Sequence, residues 1–224
     1  MVPIVDCGLW IVRHTKVMNT RDYKKFAAGE YYHVYNRGNA KQNIFRDNAD
    51  FHFFLLRLRQ NLFPDEKAKL RLQPLPPNSF SLICYCLMPN HFHFLIRQNE
   101  EIPMSKLLLK ICTSYSKYFN KKYESVGHIF QDQFKQVWVG DNEYLTWLSA
   151  YIHQNPKVAG LANDIKKYPW SSYLDFIGER NDSLCKKEII LNQFNSAGDY
   201  ENFVSDSFDI IKNGKLAREL LLDY

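Results

Sequence analysis

Hydrophobic and polar positions change rhythm several times along the chain. Glu30 to Arg37 (EYYHVYNR) is rich in β-forming residues and stops at Gly38-Asn39, which predicts a strand and a turn. Ser79 to Met88 predicts a second strand and His91 to Gln98 (HFHFLIRQ) a third. Only Pro89 and Asn90 separate these two, so they read as an antiparallel hairpin. Phe134 to Val139 predicts a short fourth strand. Helical spacing fills the gaps between strands. Residues 48–62 (NADFHFFLLRLRQNL) carry one apolar face, with Arg57 and Arg59 outside it. Pro103 opens a long helix that runs to about Tyr123. Asp141 is a good N-cap for a last helix to about Gln154, with Pro156 as its stop. Residues 63–79 hold four prolines and read as a surface connection.

The order βαββαβ followed by a helix predicts an α+β fold. It is the ferredoxin-like, split βαβ arrangement, an antiparallel sheet with helices on one face. Beyond Tyr173 the pattern weakens. The expected division is an N-terminal extension (1–29), a catalytic domain (30–178) and a C-terminal appendage (179–224) of unstated role. The appendage includes a polar stretch, Glu179 to Ser183, and a helical run, Ile210 to Leu222. Residues 1–17, ahead of Met18, read as an upstream extension. Val2 to Val12 is interrupted by Asp6 and lacks a basic flank, so no signal peptide is expected.

Three groups of residues have chemical potential. His91 and His93 are two apart on a strand, so both imidazoles project from one sheet face while Phe92 and Phe94 face the helices. Two neutral imidazoles on a rigid strand suit a divalent metal with open positions, although a solvated sheet face would carry them equally well. On the last helix Tyr144, Leu148, Tyr151 and Asn155 form one stripe, with Tyr151 and Asn155 adjacent at i, i+4. His153 lies about 200° round the helix from Tyr151 and should point away. A phenol with pKa near ~10 needs a metal or base to act as a nucleophile. Plain core packing would also place a tyrosine there. Lys106, Lys110, Lys117 and Lys121 fall within about 60° of one another on the long helix. Such a row can track a phosphate backbone, or simply face solvent.

Composition adds modest constraints. The net charge of +5 leans toward a polyanionic partner, and 14 Tyr, 16 Phe and 4 Trp offer stacking surfaces for unpaired bases. Five scattered cysteines without a C-x-x-C pair argue against a disulfide framework or zinc ribbon and for a reducing cytoplasm. Cys84 and Cys86 read as small buried hydrophobes in a strand. No apolar run approaches the ~18 residues that span a bilayer, so no membrane partner is expected.

Taken in order, several strings resemble one family. They are Tyr32-His33-Val34-Tyr35-Asn36-Arg37-Gly38, Cys86-Leu87-Met88-Pro89-Asn90-His91-Phe92-His93-Phe94-Leu95-Ile96, Gly127-His128-Ile129-Phe130-Gln131 with Phe134-Lys135, Tyr151-Ile152-His153-Gln154-Asn155-Pro156, and Trp170-Ser171-Ser172-Tyr173. Over about residues 30–176 the chain resembles the HUH-superfamily single-tyrosine transposases, most closely the REP-associated tyrosine transposases. The resemblance implies a strand transferase that cleaves and rejoins single-stranded or hairpin DNA, often as a homodimer, through a 5′-phosphotyrosine. It implies Tyr151 as nucleophile, His91, His93 and Asn155 as ligands of Mg²⁺ or Mn²⁺, and a cytoplasmic, nucleoid-associated protein. Asn36, Arg37, Lys106, Lys110, Lys117 and Lys135 are the candidate DNA contacts. Where many relatives carry Gly-Arg, this chain has Asp132-Gln133, which should weaken a phosphate contact in that loop. A non-catalytic nucleic-acid-binding module on the same fold is the alternative reading.

Overall fold

A computed structural model of the chain describes residues 27–64 and 74–214. Readings that fall on residues 1–26, 65–73 and 215–224 therefore lie outside the described residues. Four strands, β1 (Tyr31–Arg37), β2 (Phe80–Met88), β3 (His91–Gln98) and β4 (Lys135–Val139), form one sheet in the order β2-β3-β1-β4, every pair antiparallel. The Pro89-Asn90 turn closes the β2–β3 hairpin, with Met88 opposite His91. The Pro89 carbonyl accepts from the Ile44 and Phe45 amides, and the Asn90 carbonyl from the Gly38 amide. A Cβ at Gly38 would run into the Gln42 carbonyl oxygen, so this crossing of β1 and the hairpin turn needs a glycine.

The alternation in β1 and β3 sorts their side chains into two cores. Tyr32, Val34, Phe92, Phe94 and Ile96 face α1 (Asn48–Leu62) and α2 (Met104–Lys122), packing with Phe54, Leu58, Leu107, Ile111 and Tyr115. These are the two crossover helices of the split βαβ unit, on one face as expected. The opposite face is covered as well. Leu95, Cys84, Cys86 and Met88 pack against α3 (Asn142–Val158), and residues 188–213 pack against the far side of that helix. The two-sided burial explains why every residue of β1 after Tyr31 is buried. Cys84 and Cys86 are fully buried with free thiols, as their alternation implied.

Pro156 does not stop α3, which continues to Val158. Proline forfeits only its own N–H, here a bond to the Ile152 carbonyl, and Ala159 N–H bonds Asn155 O at 2.9 Å to carry the last turn past it. The C-terminal segment forms α4 (Tyr173–Phe176), α5 (Glu188–Leu191), α6 (Ala197–Asp206) and α7 (Phe208–Asn213). Trp170 to Ser172 lie along the outer edge of β2, through Leu87 N–H to Trp170 O (2.8 Å) and Ser172 N–H to Tyr85 O (3.0 Å). That edge is thereby closed to further strand pairing. No helix among the described residues is long and apolar enough to cross a membrane.

His153 joins the layers. One ring nitrogen bonds Tyr200 Oη and the other Ser172 Oγ, both at 2.8 Å. Burial, with the Arg180 charge second, pushes its pKa down to about 3. The unfolded chain takes up this proton near ~6.5 and the folded chain does not. The folded state is therefore penalised as pH falls below that value, by about 1.4 kcal/mol per pH unit. Denaturant midpoints should drop between about pH 7 and about pH 5. His153→Gln should make that decline shallower, with the remainder due to the other buried neutral histidines, His33 and His93; a decline of unchanged slope would place the titration elsewhere.

Candidate active site on the histidine face of the sheet

His91 and His93 do share one face, and it is the face buried under α3. Their ring centroids are 4.9 Å apart with planes at 88°. Both are buried, which removes the solvated-face reading. The α3 stripe brings Tyr151 to the same place. Its ring stands edge-on to His93 at 5.9 Å and to His33 at 6.2 Å, within a single chain. His153 points away into the C-terminal layer, as its offset on the helix required.

The tautomer of His91 follows from its neighbour. His91 Nδ1 lies 2.5 Å from Asn90 Oδ1. An amide oxygen only accepts, so Nδ1 carries the proton and the lone pair of His91 is on Nε2. His93 Nδ1 lies 3.0 Å from His33 Nε2. His93 Nε2 is buried with no hydrogen-bond partner among the described residues. Burial lowers the His93 pKa well below the ordinary value, helped by its neighbours His91 and His33, and burial alone lowers His33 to about 3. Both are neutral at physiological pH, the form in which imidazole binds a metal. In the tautomer that leaves its lone pair on Nε2, His93 would offer that atom to a cation. No group of three His, Cys, Asp or Glu among the described residues could hold a metal ion. A cation here would need a neutral oxygen beside the two imidazoles. Asn155 is buried one turn from Tyr151, and its Nδ2 donates to the Tyr151 carbonyl at 3.1 Å, which leaves the amide oxygen as the atom of this side chain that would ligate a cation.

Two of the three rival tyrosines are placed elsewhere. Tyr115 donates to the Ile44 carbonyl and Tyr118 to Asp50, both on the α1–α2 side. Tyr144 is buried near Tyr35, and burial foremost raises its pKa.

Two cations mark the open end of the face. Arg37 is directly opposite His91, and Lys135 opposite Tyr35, which is itself opposite His93. Tyr35, Arg37 and Lys135 line a small pocket of about 100 Å³ together with Asn36 and Gln131 to Gln133. Asp132 thus sits beside the cations. Its Oδ1 accepts from the Gln133 amide at 2.7 Å, and its carbonyl accepts from Asn36 Nδ2 at 3.2 Å. An adjoining groove of roughly 740 Å³, which shares Asn36 and Gln131 to Gln133 with that pocket, runs between α2 and residues 127–134. Lys106 and Lys117 line it, with Asn36 at one end, whereas Lys110 and Lys121 are outside its lining. The lysine row is therefore split by the surface it was read from.

Sequence reasoning missed His33 and Asn90. His33 lay inside an aromatic-rich strand string, and its partner is 60 residues away. For Asn90 there was a signal, since it is the turn residue next to His91 and within reach of its Nδ1.

The model of the family described as Transposase IS200 like matches residues 28–155. The chain belongs to this family. A relative from Haemophilus influenzae, whose name places it among the REP-associated tyrosine transposases, is 26% identical over 106 residues, 42% of this chain. The match spans 59% of that relative's length. A solved structure of a REP-associated tyrosine transposase bound to a REP hairpin superposes with a TM-score of 0.52 at 13% identity, over 72% of this chain and 93% of that one. At that identity the likeness is one of fold. The matched region of this IS200-like transposase starts before β1 and ends at Asn155, so it takes in both histidines and Tyr151.

Proposed function

We propose that this IS200-like transposase cleaves and rejoins single-stranded or hairpin DNA through a covalent 5′-phosphotyrosine on Tyr151. The observation that carries the reading is the packing of Tyr151 against His93 within one chain, at 5.9 Å between rings. In the cleavage step Tyr151 Oη attacks the scissile phosphorus and the P–O3′ bond breaks. The phenol proton ends on the departing 3′-oxygen, leaving a free 3′-hydroxyl. Attack by another 3′-hydroxyl reverses the step, and the intermediate conserves the bond energy for rejoining. A Mg²⁺ or Mn²⁺ ion held by His91, His93 and Asn155 would supply Lewis-acid polarisation of the phosphate. Arg37 and Lys135 neutralise phosphate charge at the open end of the face. The hairpin-bound relative supports folded DNA as the ligand.

Tyr151 is only 1% exposed, which favours a second reading, a module that binds DNA without cutting it. A covalent adduct separates the two. Wild type with a 3′-labelled single strand and Mn²⁺ should give a protein–DNA band resistant to denaturant, while a 5′ label leaves with the free 3′-hydroxyl fragment, and chelation should abolish the band. Tyr151→Phe should lose the band and keep its fold and DNA affinity. His93→Ala should lose it too. An adduct on Tyr151→Phe would falsify the assignment, and its absence from wild type would leave the binding module.

The groove predicts unequal lysines. Lys106→Gln and Lys117→Gln should each reduce the slope of log K against log salt by about 0.7 for a single strand, the value for one lost phosphate contact. Lys121→Gln should leave it nearly unchanged. Equal effects at Lys106 and Lys121 would return the whole row to a diffuse electrostatic role.

A further inference from the structure

His93 has a second nitrogen that the chemistry above leaves unused. It lies 3.0 Å from His33 Nε2, both atoms are buried, and the rings are stacked at 22° with centroids 5.2 Å apart. His33 is fully buried in mid-strand, paired with Leu95 on one side and Val137 on the other. One proton occupies the bond between the two rings, and it has two places to sit. If His33 Nε2 donates, His93 carries its own proton on Nε2. That atom is buried without a hydrogen-bond partner among the described residues, so it becomes an orphan donor and binds no cation. If His93 Nδ1 donates, His93 Nε2 keeps its lone pair. The orphan donor is then His33 Nδ1, which is equally buried and unpartnered among the described residues. Each arrangement leaves one unsatisfied N–H, at about 1–3 kcal/mol, so the two rings alone do not choose. A cation on His93 Nε2 chooses the second.

We propose that His33 is a positioning residue, the acceptor that takes the His93 Nδ1 proton and so holds His93 Nε2 bare and oriented toward a divalent cation. The inference rests on the metal-binding reading above. It gives His33 the part that Asn90 plays for His91, so that each member of the pair is oriented through Nδ1. Outer partners of this kind are worth roughly 10–100-fold in metal affinity.

The test is titration of Mn²⁺ alone into the full chain, followed by electron paramagnetic resonance, for wild type, His33→Met and His33→Gln. Methionine fills the space without a good acceptor, whereas the glutamine side-chain oxygen reaches about as far as the imidazole Nε2. Expected is roughly 10–100-fold weaker Mn²⁺ binding for His33→Met, with His33→Gln restored to near the wild-type value. Imidazole ¹⁵N spectra of the wild type with Mg²⁺ should place the His93 proton on Nδ1. Wild-type affinity in His33→Met, or a His93 proton on Nε2 in the Mg²⁺ sample, overturns the role of His33 and leaves the metal reading standing. No Mn²⁺ binding by wild type overturns both. If His33→Met fails to fold, the Gln variant and the wild-type spectrum decide.

Discussion

The pleat of β3 is the constraint on which the rest depends. Successive residues must point to opposite faces, so Phe92 and Phe94 enter the core under α1 and α2 only if His91 and His93 enter the other one. A slip of one residue would bury the histidines among phenylalanines and turn the aromatics toward Tyr151. Two dry faces make such a slip costly, which is how register becomes strongly specified. The same burial determines the protonation state of the imidazoles. His33 and His93 lie in the interior where the cationic form is penalised, so they stay neutral and available as ligand and hydrogen-bond partner.

A histidine face alone would leave the tyrosine unplaced. What brings Tyr151 to His93 is that α3 is buried on all sides, from Tyr144 to Pro156 without interruption. One side of the helix meets the sheet. The other meets the C-terminal segment through Ser149 and His153 on Tyr200, Gln154 Nε2 on the Val204 carbonyl (2.7 Å) and Thr146 on Gln193 (2.8 Å). These bonds fix both the rotation and the height of the helix, because they are spread over about two turns, from Thr146 to Gln154. The C-terminal segment therefore bears on the chemistry without touching it. It holds the helix whose opposite side carries Tyr151, the proposed nucleophile.

Much of this was legible in the chain, and the gaps have physical causes. Period-2 and period-3.6 patterns are local, so the four strands, the hairpin and the three long helices could be read close to their observed bounds. The offset of His153 from Tyr151 was readable for the same reason. The second helical layer was not foreseen, because a strand buried on both faces differs from one buried on a single face only in the residues between the apolar ones. Here those residues include His33, Tyr35, His91 and His93, which look polar in isolation. One local clue did exist. No charged residue occurs between Glu143 and Lys157, as expected of a helix surrounded by protein rather than lying on a surface. The role of His33 could not be read, since it arises from pairing β1 with β3 and no spacing within either strand encodes it.

Burial along the histidine face runs in one direction, and that gradient orders the chemistry. Lys135 is exposed, Arg37 and His91 are each 8% exposed, His93 is 3% and His33 fully buried. Charge follows the same path, with Lys135 outermost, Arg37 level with His91, and the neutral His93 and His33 within. In the proposed chemistry a phosphate approaching this end of the sheet would meet Lys135 first, and Arg37 and His91 together at the next step inward. Attraction at the mouth and low dielectric inside are opposing requirements, since a buried cation is expensive and an exposed ligand pair is easily protonated. The antiparallel pairing of β1 with β3 and β4 satisfies both, because it puts Arg37 opposite His91 and Lys135 opposite Tyr35 at the rim, and His33 one step further in. Asp132 bears on this balance from the loop beside the cations. Its carboxylate is already turned onto the Gln133 amide, which lessens the repulsion it presents to a phosphate without removing its charge from the pocket.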